Sequence, residues 1–181
     1  MASKEARVRR SPSFSPAPTP ENRQHREIAL AARSDACVLF TGPVSLARDL
    51  AYRMHLASGW RHGAFTTVDC RSGDQALERQ LLETIFPTDE RRDSGVLQLR
   101  LLQAGTVLLE EVNFLPLATQ RRLAGRLSDL WTAPTMGRSR RRLMASTSEP
   151  LIDGVLRGTF DDSLYYRLNV MQFDVGGSLE F

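Results

Sequence analysis

The run Gly42-Pro43-Val44-Ser45-Leu46-Ala47-Arg48-Asp49 follows the apolar stretch Val38-Leu39-Phe40-Thr41. A glycine directly after a buried strand, with a cation shortly beyond it, is the outline of a phosphate-binding loop. In the pattern G-x-x-x-x-G-K-[ST], glycines let backbone N–H groups close around phosphates and the lysine reaches the outer ones. Gly42 alone is kept. Ala47 stands at the second glycine and Arg48 at the lysine. Pro43 removes a donor outright, and an arginine fork does not replace an ammonium point charge. The second chemical stretch is Gly105-Thr106-Val107-Leu108-Leu109-Glu110-Glu111. Carboxylates at the end of a parallel strand lie where such sheets bind ligands, and can hold a Mg²⁺ hydration shell and orient an attacking water. Taken alone, Glu110 and Glu111 also read as two acids in a solvated loop.

Alternating strands and helices must position these residues. Apolar runs predict strands at Val38–Gly42, Phe65–Val68, Val107–Leu109, Arg142–Ser146 and Asn169–Val175. Three-to-four spacing predicts helices over Glu21–Arg33, Leu46–Leu56, Gln75–Phe86, Val96–Gln103 and Leu117–Trp131. That alternation implies an α/β fold with a parallel sheet. Residues 1–21, rich in Ser, Pro and Arg, read as a disordered tail, either simply solvated or serving as a docking or phosphorylation segment. Residues 22–175 form the core and 176–181 a short C-terminal tail.

The pI of 9.3 would suggest a nucleic-acid binder, but the charge distribution argues otherwise. Residues 1–27 hold six bases and three acids, leaving eighteen of each for the remainder. Lys4 is the sole lysine, so the globular part has none to bind a phosphate. Arg138, Arg140, Arg141 and Arg142, before the fourth strand, read as a solvated face or as phosphate contacts. Cys37 and Cys70 lack metal-ligand spacing, so no metal site is expected, and two thiols suit a reducing cytoplasm. No apolar run is long enough to span a membrane, and the N-terminus lacks a secretory signal.

The motifs resemble the AAA+ central domain of bacterial enhancer-binding proteins, the sigma-54 interaction domain family. Gly105–Glu111 with Leu115-Pro116-Leu117 and Gln120 resembles GTLFLDEI…LPL..Q. Phe160–Val170 resembles FREDLYYRLNV, and Leu143-Met144-Ala145-Ser146-Thr147-Ser148 resembles the sensor strand IIAATN. The resemblance implies a P-loop AAA+ core, ATP with Mg²⁺, and regulation of transcription. It assigns Gly42, Arg48 and Asp49 to the nucleotide loop (Walker A), Glu110 and Glu111 to the catalytic acids (Walker B), and Thr147 to the sensor. Arg167 corresponds to an arginine finger acting on a neighbouring subunit, or else forms a structural salt bridge.

This chain departs from the family at several of those positions. The family's GESGTGKE loop is replaced, Glu110 stands for an Asp, and Asp161 occupies the first arginine-finger place. Asp69 replaces an Asn, and is expected to repel Glu111. Ser148 replaces the sensor Asn. The charged segment Pro87–Gly95 stands where the sigma-contacting GAFTGA loop is expected, so direct sigma-54 contact is not expected. Nor does the sequence show a helical lid or a DNA-binding helix-turn-helix. The expectation is a degenerate module with no cofactor and little or no ATP hydrolysis, whose partner is a protein such as a related complete activator. The alternative is a weak or composite ATPase using Arg48, Glu110 and Glu111.

Overall fold

The structure, a computed structural model, describes residues 20–73, 75–86, 105–132 and 141–177. The N-terminal tail, the charged segment Pro87–Gly95, the expected helix Val96–Gln103, Arg138, Arg140 and residues 178–181 lie outside the described residues.

Five strands form one parallel sheet: β1 (Val38–Thr41), β2 (Phe65–Asp69), β3 (Thr106–Glu110), β4 (Arg142–Thr147) and β5 (Met171–Asp174), in the order β2-β3-β4-β1-β5. Helices cover both faces, so the central strands are buried throughout, as parallel strands require. The helices are α1 (Pro20–Arg33), α2 (Val44–Leu56), α3 (Gln75–Ile85), α4 (Leu117–Thr132), α5 (Leu151–Leu156) and α6 (Asp162–Leu168).

Strand alternation sorts the core into two layers. Val38 and Phe40 of β1, Leu108 of β3 and Met144 of β4 pack against Ala31 and Ala32 of α1 and Ala47, Leu50, Ala51 and Met54 of α2. Leu39, Val107, Leu109, Leu143 and Ala145 point the other way, onto Leu77, Leu81, Leu123, Leu127, Leu164 and Leu168. Thr41, Asp69, Glu110 and Thr147 end their strands along one edge of the sheet.

Two short helices, α5 and α6, were not expected from the sequence. They are too short for periodicity to reveal; α5 follows Pro150 with no side-chain cap, whereas α6 has one. Asp161 caps α6 by accepting the Leu164 N–H at 2.9 Å. Gln120, fully buried on α4, donates to the Leu115 carbonyl at 2.7 Å and accepts the Asp161 N–H at 2.7 Å, bracing this corner.

At the amino end of the sheet Arg142 overturns its expected place on a solvated or phosphate-contacting run. It is 1% exposed. Its guanidinium donates to the Ala32 carbonyl at 3.1 Å and to the Ala31 carbonyl, and lies 5.7 Å from the centre of the Trp60 ring. Burial pushes it down to about 10. Beside it His55, also buried, places Nδ1 2.9 Å from Thr106 Oγ1. Burial, then the nearby charge of Arg142, holds the imidazole below its ordinary value.

Candidate functional site

The candidate site lies at the carboxyl edge, and the connection from β1 to α2 shapes it. Only Gly42 and Pro43 separate the two elements. Helix α2 begins at Val44, earlier than the expected Leu46, and the Ala47 N–H already donates to the Pro43 carbonyl at 3.0 Å. Val44, Ser45, Leu46 and Ala47 are therefore wound into the first turn. Apolar and β-branched side chains permit helical backbone where glycines would have permitted other conformations. Ala47 is fully buried against the sheet. Gly42 keeps a role of its own. Its φ of 131° suits glycine, and a Cβ there would stand 2.8 Å from the Gly176 nitrogen.

One turn into α2, Arg48 meets Glu110. Nε donates to Oε1 at 2.5 Å and Nη2 to Oε2 at 2.7 Å, a two-pronged contact whose geometry arginine fits and lysine cannot make. The Arg48 side chain is 54% exposed and that of Glu110 4%, so a rim cation reaches inward to a buried acid. The hydrogen bond to Glu110 holds Arg48 above its ordinary value. Alternation along β3 made this meeting possible, because Glu110 shares a face with Leu108, the face that α2 covers.

Glu111 turns the other way. It is buried and holds the left-handed backbone at φ 53°, an unusual state for a side-chain-bearing residue and a frequent mark of functional sites. Its Oε2 accepts the Ser148 hydroxyl at 2.9 Å and the Ser148 N–H at 3.3 Å. The expected repulsion between Asp69 and Glu111 is answered by a residue that the sequence reading passed over. Arg71 donates Nε and Nη2 to Asp69 at 2.9 and 2.5 Å and holds that carboxyl below the usual range. Its cue was local, an arginine two residues from an acid across a turn. Between these groups Cys70 is pushed up to about 12, by burial first and then by Asp69, Glu110 and Glu111. Three carboxylates and two guanidiniums leave this edge negative in sum.

The other named residues serve different ends. Asp49 faces solvent and pairs with Arg53 at 3.0 Å, one turn along α2. Thr147 is buried, with Oγ1 2.7 Å from the Glu149 carbonyl and 3.2 Å from Asn113 Oδ1, holding the turn after β4. Asp161, at the first arginine-finger place, is the cap of α6 and lies 3.7 Å from Arg121. Arg167 sits half-buried in the last turn of α6. The structure thus brings together Gly42, Arg48, Glu110 and Glu111, adds Arg71 and Ser148, and turns Asp49 away.

The family model of the sigma-54 interaction domain matches residues 19–174. Response regulator protein FleR of Pseudomonas aeruginosa is 30% identical over 163 residues, which are 83% of this chain and 34% of that protein. Transcriptional regulatory protein GlrR of Escherichia coli is 31% identical over 158 residues, 81% of this chain and 34% of that protein. The chain therefore spans about a third of the length of these curated relatives. Among solved structures, NtrX from Brucella abortus in complex with ADP superposes with a TM-score of 0.63 at 25% identity, over 87% of this chain and 36% of that one. The P-loop NTPase domain of an E. coli sigma-54 activator gives 0.56 at 17% identity, over 84% and 92%, a likeness of fold alone. With the motifs in order, the parallel five-stranded sheet and a family match over most of its length, this chain belongs to the sigma-54 interaction domain family.

Proposed function

We propose that this chain is a sigma-54-activator-type AAA+ module whose nucleotide site is closed by its own side chains, and that it regulates transcription by docking on other proteins. The observation that carries this reading is the Arg48–Glu110 pair beneath an α2 wound from Val44. A triphosphate with Mg²⁺ needs a free cation, free loop N–H groups and a metal-facing carboxylate. In this chain the cation and the carboxylate hold each other, the Ala47 N–H serves the helix, and the edge is negative in sum. Residues so arranged do not fit the group, and no hydrolytic step is assigned. The partner class that fits is a related, complete AAA+ activator, to which Arg167 could contribute a cation.

A second reading has its own support. Glu111 is buried and holds the left-handed backbone at the end of β3, and the similar NtrX was solved with ADP. A weak or composite ATPase would use Arg48, Glu110 and Glu111. Titrating a fluorescent ATP analogue with Mg²⁺ separates the two. No saturable binding at micromolar concentrations is expected. Micromolar affinity that is lost in Arg48→Ala or Glu111→Ala would replace the docking reading with the enzymatic one.

A further inference from the structure

Packing holds helix α1 weakly. Of its described side chains Ala31 and Ala32 are buried and Ile28 is half-buried, while Leu30 is 66% exposed and His25, Arg26, Glu27 and Ala29 face solvent. Two alanine methyls and the half-buried Ile28 remove less apolar area from water than the fully buried Leu50 and Met54 that help seat α2. Among the described residues, a polar tie lies at the last turn. A helix leaves its final carbonyls without intrahelical donors. The Ala32 carbonyl takes one from Arg142, 110 residues away, and the Ala31 carbonyl, which also accepts the Ser34 N–H at 3.2 Å, takes a second from the same guanidinium. A cation there also faces the negative end of the helix dipole.

We propose that α1 is a detachable strap, which docks and undocks as a unit through its last turn with Arg142 as the clasp, while the five-stranded sheet stays folded. Docking gives the Ala32 carbonyl a donor and the Ala31 carbonyl a second one but strips water from a guanidinium, and undocking reverses both. Burial has already pushed that guanidinium down to about 10, a sign of what docking takes from it. Undocking would bare Arg142 and the face of Trp60 on which it rests. This inference does not depend on whether nucleotide binds.

Native-state hydrogen exchange in rising urea tests it on the unaltered protein. The α1 amides should exchange through an opening at least tenfold easier than that of β3, with a clearly smaller urea slope. One shared opening with one slope would overturn the proposal. In Arg142→Met, which keeps the bulk and removes the donors, α1 should fall to within about tenfold of an unstructured peptide while β3 keeps most of its protection. Unchanged protection of α1, or its loss together with that of β3, would equally overturn it.

Discussion

The two ends of the sheet each bury a charge, and they stabilise it in opposite ways. At the amino end Arg142 is a cation inside the protein, dressed by two helix carbonyls and an aromatic face, and burial pushes it down. At the carboxyl end the buried partner is the acid Glu110, and its cation Arg48 stays over half in water and is held up. An interior cation held by helix carbonyls ties elements together. A rim cation matched to an interior acid joins the first turns of α2 to the end of β3. The residues that the family resemblance assigns to nucleotide chemistry, Arg48 and Glu110 among them, lie at the second end, where these two pair with each other.

That comparison predicts an asymmetry, which is the largest of the expected effects. Arg48→Ala leaves the Glu110 carboxylate buried without its cation and should lower stability by about 2 kcal/mol. Glu110→Ala releases Arg48 to solvent and should change stability by less than about 1 kcal/mol. Urea midpoints measure both, and equal losses would erase the distinction between the two ends.

A smaller effect belongs to the amino end. His55 has a folded value below the roughly 6.5 of the unfolded chain. Between those two values the unfolded chain binds a proton that the folded one refuses. The contribution of His55 is therefore complete above about pH 6.5 and is lost as pH falls through the folded value, with a slope of at most about 1.4 kcal/mol per pH unit. His55→Gln should flatten that part of the profile; a profile identical to the parent would remove His55 from it. The smallest effect is at the rim. Asp69, lowered by Arg71, adds stability above about pH 4 that disappears as pH falls through its folded value. Because the pair is exposed, about 1 M salt or Arg71→Gln should abolish that acid-side slope.

Much of the fold was legible because its signals are local. The apolar runs of β1 to β5 and the spacing of α2, α3 and α4 follow from alternation and helical period, and each lies within a residue or two of its expected place. Helices α5 and α6 escaped because they are shorter than two turns, and α6 owes its start to Asp161 and to the buried brace at Gln120. The site was half legible. Gly42, Arg48, Glu110 and Glu111 announced themselves by type and order, whereas Ser148 looked like a simple loss and Arg71 drew no notice. Asp49 was grouped with the site, yet its position on α2 turns it to solvent and Arg53.

The sequence by itself determined the layered α/β architecture and the absence of a glycine-rich, lysine-bearing loop, since both are written in neighbouring residues. Only the tertiary structure decided that Arg48 would grasp Glu110, 62 residues away, and that Arg142 would sink into the core to hold the end of α1, 110 residues away. The physical reason is that one arginine looks like another along a chain. Its burial and its partner are set by the faces of the strand and helix that carry it, and by what the fold packs against those faces.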